Sequence, residues 1–133
     1  MDIEEQWDAF MAEFRTGLAV LVRNSLEDVA ETAKRDGEAF AESMKDDLPR
    51  WAKALHEGLL TRDEFEQLLE GQKSLLKLHL LTAAGLTQTK LERFRKALIS
   101  LATTSVYSAF GLLALQFSNG SQNREPRPGV FVL

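Results

Sequence analysis

The first candidates for proton transfer or metal ligation are the two histidines, His56 and His79, and, among 20 acidic side chains, three carboxylates at helical spacing, Asp63, Glu66 and Glu70. Neither set has the arrangement that such chemistry requires. A helical metal site needs two histidines four residues apart, as in His-Glu-x-x-His, or Glu-x-x-His pairs from facing helices. Here a helix boundary separates the histidines. The three carboxylates begin a ridge that continues with Lys73 and Lys77, acidic toward the N-terminus and basic toward the C-terminus, which is how a solvated helix face complements its own dipole. His79, on an apolar face, reads as a hydrogen-bonded core histidine. No nucleophile constellation or phosphate loop is present, and a chain without cysteine has neither thiolate chemistry nor a disulfide framework. The sequence therefore predicts no enzyme, no cofactor and no metal.

The remaining chemistry is recognition. Arg93, Arg95 and Lys96 form a dense basic patch, and directly after it Ala97 to Asn123 carries no charged side chain. Roughly 20 mainly apolar residues cross a bilayer, so cluster and segment together suggest an anionic membrane surface as a possible partner. Six Ser, Thr or Gln residues and Gly111 dilute the segment to a marginal span, which favours a buried helix over a transmembrane one. Only Phe94 is interleaved among the positive residues, where a nucleic-acid face would need several stacking aromatics, so no nucleic acid is expected.

Within that helix, read from about Lys90 to Phe117, Ile99, Ala102, Val106, Phe110, Leu113 and Phe117 form one apolar stripe, and Leu98, Leu101, Leu112 and Leu115 fall outside it. Between them runs a ridge of small residues, Ser100, Thr104, Ser108 and Gly111. Such ridges let helices approach closely; alternatively the hydroxyls simply meet water. A helix with no charge for this length asks for another cover, and the expected interface is Ser100, Thr104, Ser108 and Gly111 with Phe110 and Phe117.

The elements that must position these residues read as helices throughout. Residues 3 to 48 contain no proline, and Ile3, Trp7, Phe10, Phe14, Leu18, Leu21, Val22, Val29, Ala33, Phe40 and Met44 recur at steps of three and four, the amphipathic pattern of one long helix. Gly37 marks a candidate break beside Asp36. The stripe of Trp7, Phe10 and Phe14 reads as core. Leu48-Pro49 opens a short helix that Gly58 stops. Thr61 and Glu64 form a capping box, with Leu60 and Phe65 as its hydrophobic staple, and a third helix is predicted from there to a cap at Gly85. Thr87, or Thr89 with Glu92, caps the last.

Length and composition bound the whole: 133 residues, 44% hydrophobic and 27% charged, suit one globular domain. The net charge of −4 hides an asymmetry, since residues up to Glu70 hold 18 acidic and 8 basic side chains and the rest 2 and 8, giving −10 and +6. Opposite halves can fold against each other, pair protomers head to tail, or turn the basic half to an anionic surface. The acidic N-terminus lacks a secretory signal, which favours the cytoplasm.

The fold expected is an all-α bundle of about four main helices over residues 1–117. A polar, Pro/Gly-containing linker follows over 118–133, ending in Val130, Phe131, Val132 and Leu133, a short apolar terminus able to dock on a partner. The expected role is a non-catalytic assembly or interaction subunit that buries its last helix against another protein or a second copy. The alternatives are a membrane-associated protein held by the basic patch and last helix, and, more weakly, a carrier of an apolar small molecule.

Overall fold

The computed structural model describes residues 3–112, and these are helical with no strand among them. In chain order the helices are α1 (Ile3–Ser25), a 3-10 turn (Glu27–Val29), α2 (Ala30–Glu42), α3 (Leu48–His56), α4 (Arg62–Glu70), α5 (Lys73–Lys77), α6 (His79–Ala83) and α7 (Gln88–Ala109). The helix α1 packs on α7 and α2, α4 lies against α7, and α5 and α6 lie on α2.

The long N-terminal helix breaks at Leu26 rather than at Gly37. Leu26 leaves helical geometry at φ −137° and ψ 40°, turns its side chain into the core, and the 3-10 turn reverses the chain. Gly37 sits mid-helix in α2 because a β-carbon there would lie 2.8 and 2.9 Å from the two methyls of Leu18. The glycine permits contact between the arms of the hairpin, which outweighs its cost of about 1 kcal/mol in a helix interior. Across this hairpin Trp7, Phe10, Phe14 and Phe40 form a chain of rings with centroids 5.4, 5.8 and 6.4 Å apart. All four are buried, as the stripe predicted. Each contributes on the order of 1.5 to 3 kcal/mol by leaving water.

The short helix starts at Leu48, one residue before the expected proline. It stops as expected at Gly58, whose φ of 77° lets Leu59 N–H reach the Ala54 carbonyl at 2.9 Å and Gly58 N–H the Leu55 carbonyl at 3.2 Å. That 6→1 and 5→2 pair is a Schellman closure. The capping box forms as read: Glu64 N–H donates to Thr61 Oγ1 at 3.1 Å, and Thr61 N–H to Glu64 Oε1 at 2.9 Å.

The predicted third helix does not run on to Gly85. It stops at Glu70, restarts as α5, and is interrupted again at Leu78, a fully buried leucine in left-handed geometry at φ 40° and ψ 60°. A β-carbon makes that region costly, so surrounding contacts must hold it. Asp36, on α2, accepts from Leu80 N–H at 3.1 Å and Leu81 N–H at 2.7 Å, capping α6 from across the fold. The end of α6 does close at Gly85, with φ 85° and Leu86 N–H on the Leu81 carbonyl at 3.2 Å.

The last helix is capped by Thr87, whose hydroxyl accepts from Lys90 N–H at 3.3 Å, so Thr89 is not the cap. It ends at Ala109, well short of Phe117. Gly111 takes φ 71°, and Leu112 N–H turns back to the Tyr107 carbonyl at 2.7 Å in a third closure of the same type. No helix among the described residues is long and apolar enough to cross a membrane.

Candidate interaction surface

Antiparallel packing of α1 on α7 organises the surface. Ser108 donates to Glu13 Oε1 at 2.9 Å near one end. Midway, a β-carbon on Gly17 would fall 2.3 Å from a Leu101 methyl. Toward the other end, Leu21 and Ala97 line one cleft. Falling residue numbers on α7 therefore meet rising ones on α1, and a seam follows the pair along its length.

The inner side of α7 faces the protein's own core: Leu98, Ala102 and Val106 are fully buried and Ile99 is nearly so. Buried Thr103 donates its hydroxyl to the Ile99 carbonyl at 2.8 Å, which satisfies it within its own helix. The outer side is the small ridge. Ser100 and Thr104 are exposed and Ser108 is half-buried. Gly111, grouped with them on spacing, belongs instead to the terminal turn, because its left-handed backbone takes it off the helix. Phe110 is half-buried and packs on the core. Phe117, Val130, Phe131, Val132 and Leu133 lie outside the described residues.

Along the outer seam, Ala12, Glu13, Thr16, Leu101, Thr104 and Ser105 line an open groove of about 380 Å³. Farther along, Leu21, Leu26, Phe94 and Ala97 floor a deeper cleft of about 340 Å³, whose rim carries Asn24, Ser25, Lys90 and Arg93. Val20, on the same face of α1 one turn beyond Thr16, is 43% exposed.

The basic patch divides. Arg93 and Lys96 are exposed. Arg95 is committed to the fold: its Nε donates to the Leu75 carbonyl at 3.1 Å, one terminal nitrogen donates to the Leu76 carbonyl at 2.6 Å, and the other pairs with Glu92. It therefore binds the carbonyl end of α5, a role that adjacency to Arg93 and Lys96 does not reveal.

His79 is exposed at the start of α6, which corrects its reading as a core residue, and exposed His56 lines a separate groove with Lys53, Pro49 and Phe110. No group of three His, Asp or Glu side chains among the described residues could hold a metal ion. Tyr107 is buried with the Arg62 guanidinium 5.3 Å from its ring centroid. Burial pushes its phenol above the ordinary value of 10; Arg62 acts to lower it and Glu66 to raise it. Arg62 in turn pairs with Glu66 at 3.7 Å. Sequence spacing signalled neither this group nor the role of Asp36, since both depend on how separate helices meet.

No protein-family model, no curated protein and no solved structure matches this chain.

Proposed function

We propose that this chain is a non-catalytic interaction subunit that binds another protein through the outer seam of α1 and α7, on a helical bundle framed mainly by α1, α2, α4 and α7. The observation supporting this most directly is the lining of the seam: small or uncharged side chains, Ala12, Thr16, Ala97, Leu101 and Thr104, line two successive hollows along the helix pair, with Glu13 beside one and Lys90 and Arg93 on the rim of the other. A helix or a helix pair fits such a seam, because small side chains admit a second backbone closely. An ordinary exposed helix pair carries charge along its outer faces.

The chain has no cysteine, so Thr104→Cys carrying a benzophenone label reports contacts from the seam alone. The expected result is one stoichiometric adduct of defined mass that disappears when Thr16→Lys is added, while helicity stays at the wild-type value. Both positions are exposed, and Lys at such sites changes stability by only about 0.5 kcal/mol. Absence of any intermolecular adduct, in purified protein and in extract of the producing cell, would show that the seam faces water.

A further inference from the structure

Charge is distributed along the seam in a way that suits one occupant. Lys90 and Arg93 are exposed at one end, and at the other exposed Glu13 lines the groove, with Asp8 exposed one turn before Ala12 on α1. From Arg93 to the level of Ser108 and Glu13 the seam is about 22 Å long at 1.5 Å per residue. Leu101, over Gly17, lies close to its midpoint. Such a track is positive at one end, negative at the other and uncharged between, which makes it complementary to itself when reversed.

The ion pairs reinforce this. Arg15–Glu38, Lys34–Glu31, Arg50–Asp47 and Arg62–Glu66 all fall within the acidic half of the chain, and Arg95–Glu92 falls within the basic half. Among the described residues none of these pairs crosses between the halves, and none engages Lys90, Arg93, Asp8 or Glu13. Opposite potentials left on one molecule favour a complementary molecule.

We infer that the seam is occupied by a second copy of this chain, related by a two-fold axis near Gly17 and Leu101. This rests on the reading of the seam as an interaction surface. In this arrangement Lys90 and Arg93 of each copy face Asp8 and Glu13 of the other, and Thr104 of one lies over Ala97 of the other. A two-fold contact uses the same patch on both copies, which a self-complementary track satisfies and a track of one sign does not. Two charged clusters engage at once, one at each end of the contact.

The test uses the full chain and a charge reversal. Sedimentation equilibrium of the wild type should give twice the chain mass of 14.9 kDa, with dissociation favoured by added salt. Asp8→Lys/Glu13→Lys and Lys90→Glu/Arg93→Glu should each weaken self-association by about tenfold or more, since every end contact becomes repulsive. An equimolar mixture should restore association to within about threefold of wild type, because only the mixed pair regains opposite charges at both ends. Circular dichroism checks that both variants fold; if either does not, the single variants Glu13→Lys and Arg93→Glu are mixed in the same way.

A monomeric wild type overturns the inference, as does a mixture that stays dissociated. The Thr104 crosslink separates that failure from failure of the underlying reading. An adduct at twice the chain mass from purified protein supports the second copy. An adduct with a different chain overturns the inference but leaves the seam an interaction surface. A crosslink from residue 104 to the chain's own residues 113–133, or no crosslink, overturns both.

Discussion

Asp36 carries both of its carboxylate oxygens on backbone N–H groups of a different helix, in a position only 6% exposed. Asp36→Asn leaves one acceptor oxygen and turns an amide NH₂ toward the other N–H, so one buried donor loses its partner. The expected loss is about 1 to 3 kcal/mol in urea unfolding, the usual cost of an unsatisfied buried group. A loss under 0.5 kcal/mol would show that water replaces the carboxylate. Tyr107 makes the second prediction at this scale. Its phenol titrates at a higher pH when folded than when unfolded, so the folded state holds that proton more tightly. The associated stability is intact below about pH 10 and falls as pH rises through the folded value. Tyr107→Phe removes the ionisation, and its melting temperature should decline less than that of wild type above pH 10; parallel profiles would place the phenol in water.

Two glycines that look alike in sequence act differently as helix contacts. A methyl added at Gly37 meets both methyls of Leu18, which is 1% exposed and has nowhere to move. Overpacking of about 1 to 3 kcal/mol should exceed the roughly 1 kcal/mol that Ala adds to a helix, so Gly37→Ala is expected to destabilise. At Gly17 the obstacle is the far end of the half-buried Leu101, a flexible side chain that can turn aside in the dissociated chain, where Gly17→Ala should fall within about 1 kcal/mol of wild type. Equal thermal shifts for the two variants would contradict this difference. The comparison also shows what the sequence could reveal. Trp7, Phe10 and Phe14, the capping box at Thr61 and Glu64, and the stops at Gly58 and Gly85 were legible because periodicity and cap chemistry are local. The break at Leu26 and the left-handed Leu78 were not, since packing and a cap from a distant helix outweigh propensity there, and the early end of α7 was hidden because the apolar pattern runs on past the local closure at Gly111. Gly111 was visible as a small residue, but its left-handed backbone was not.

At the scale of the molecule, the divided charge and the seam connect a global property to one surface, while α5 and α6 show a different dependence on the whole. These two helices have five residues each, far below the roughly 12 to 15 that an isolated helix needs even for marginal stability. Arg95 from α7 secures the carbonyl end of α5, and Asp36 from α2 secures the amide end of α6. Neither helix has a reason to form before α2 and α7 are in place. Segment 73–83 should therefore close late in folding and open early under native conditions, as a subglobal unit below the free energy of global unfolding. In native-state hydrogen exchange, the amides of Leu80 and Leu81 should open together and before the core amides of α1. Both Asp36→Asn and Arg95→Lys should accelerate them while leaving α1 unchanged; protection equal to that of α1 would place the segment in the global unit. Each opening would briefly uncover Leu75, Leu78 and Leu81, which are almost wholly buried in the closed state. The lifetime of this protein against proteases would then depend on how often two charged side chains release one short stretch of backbone.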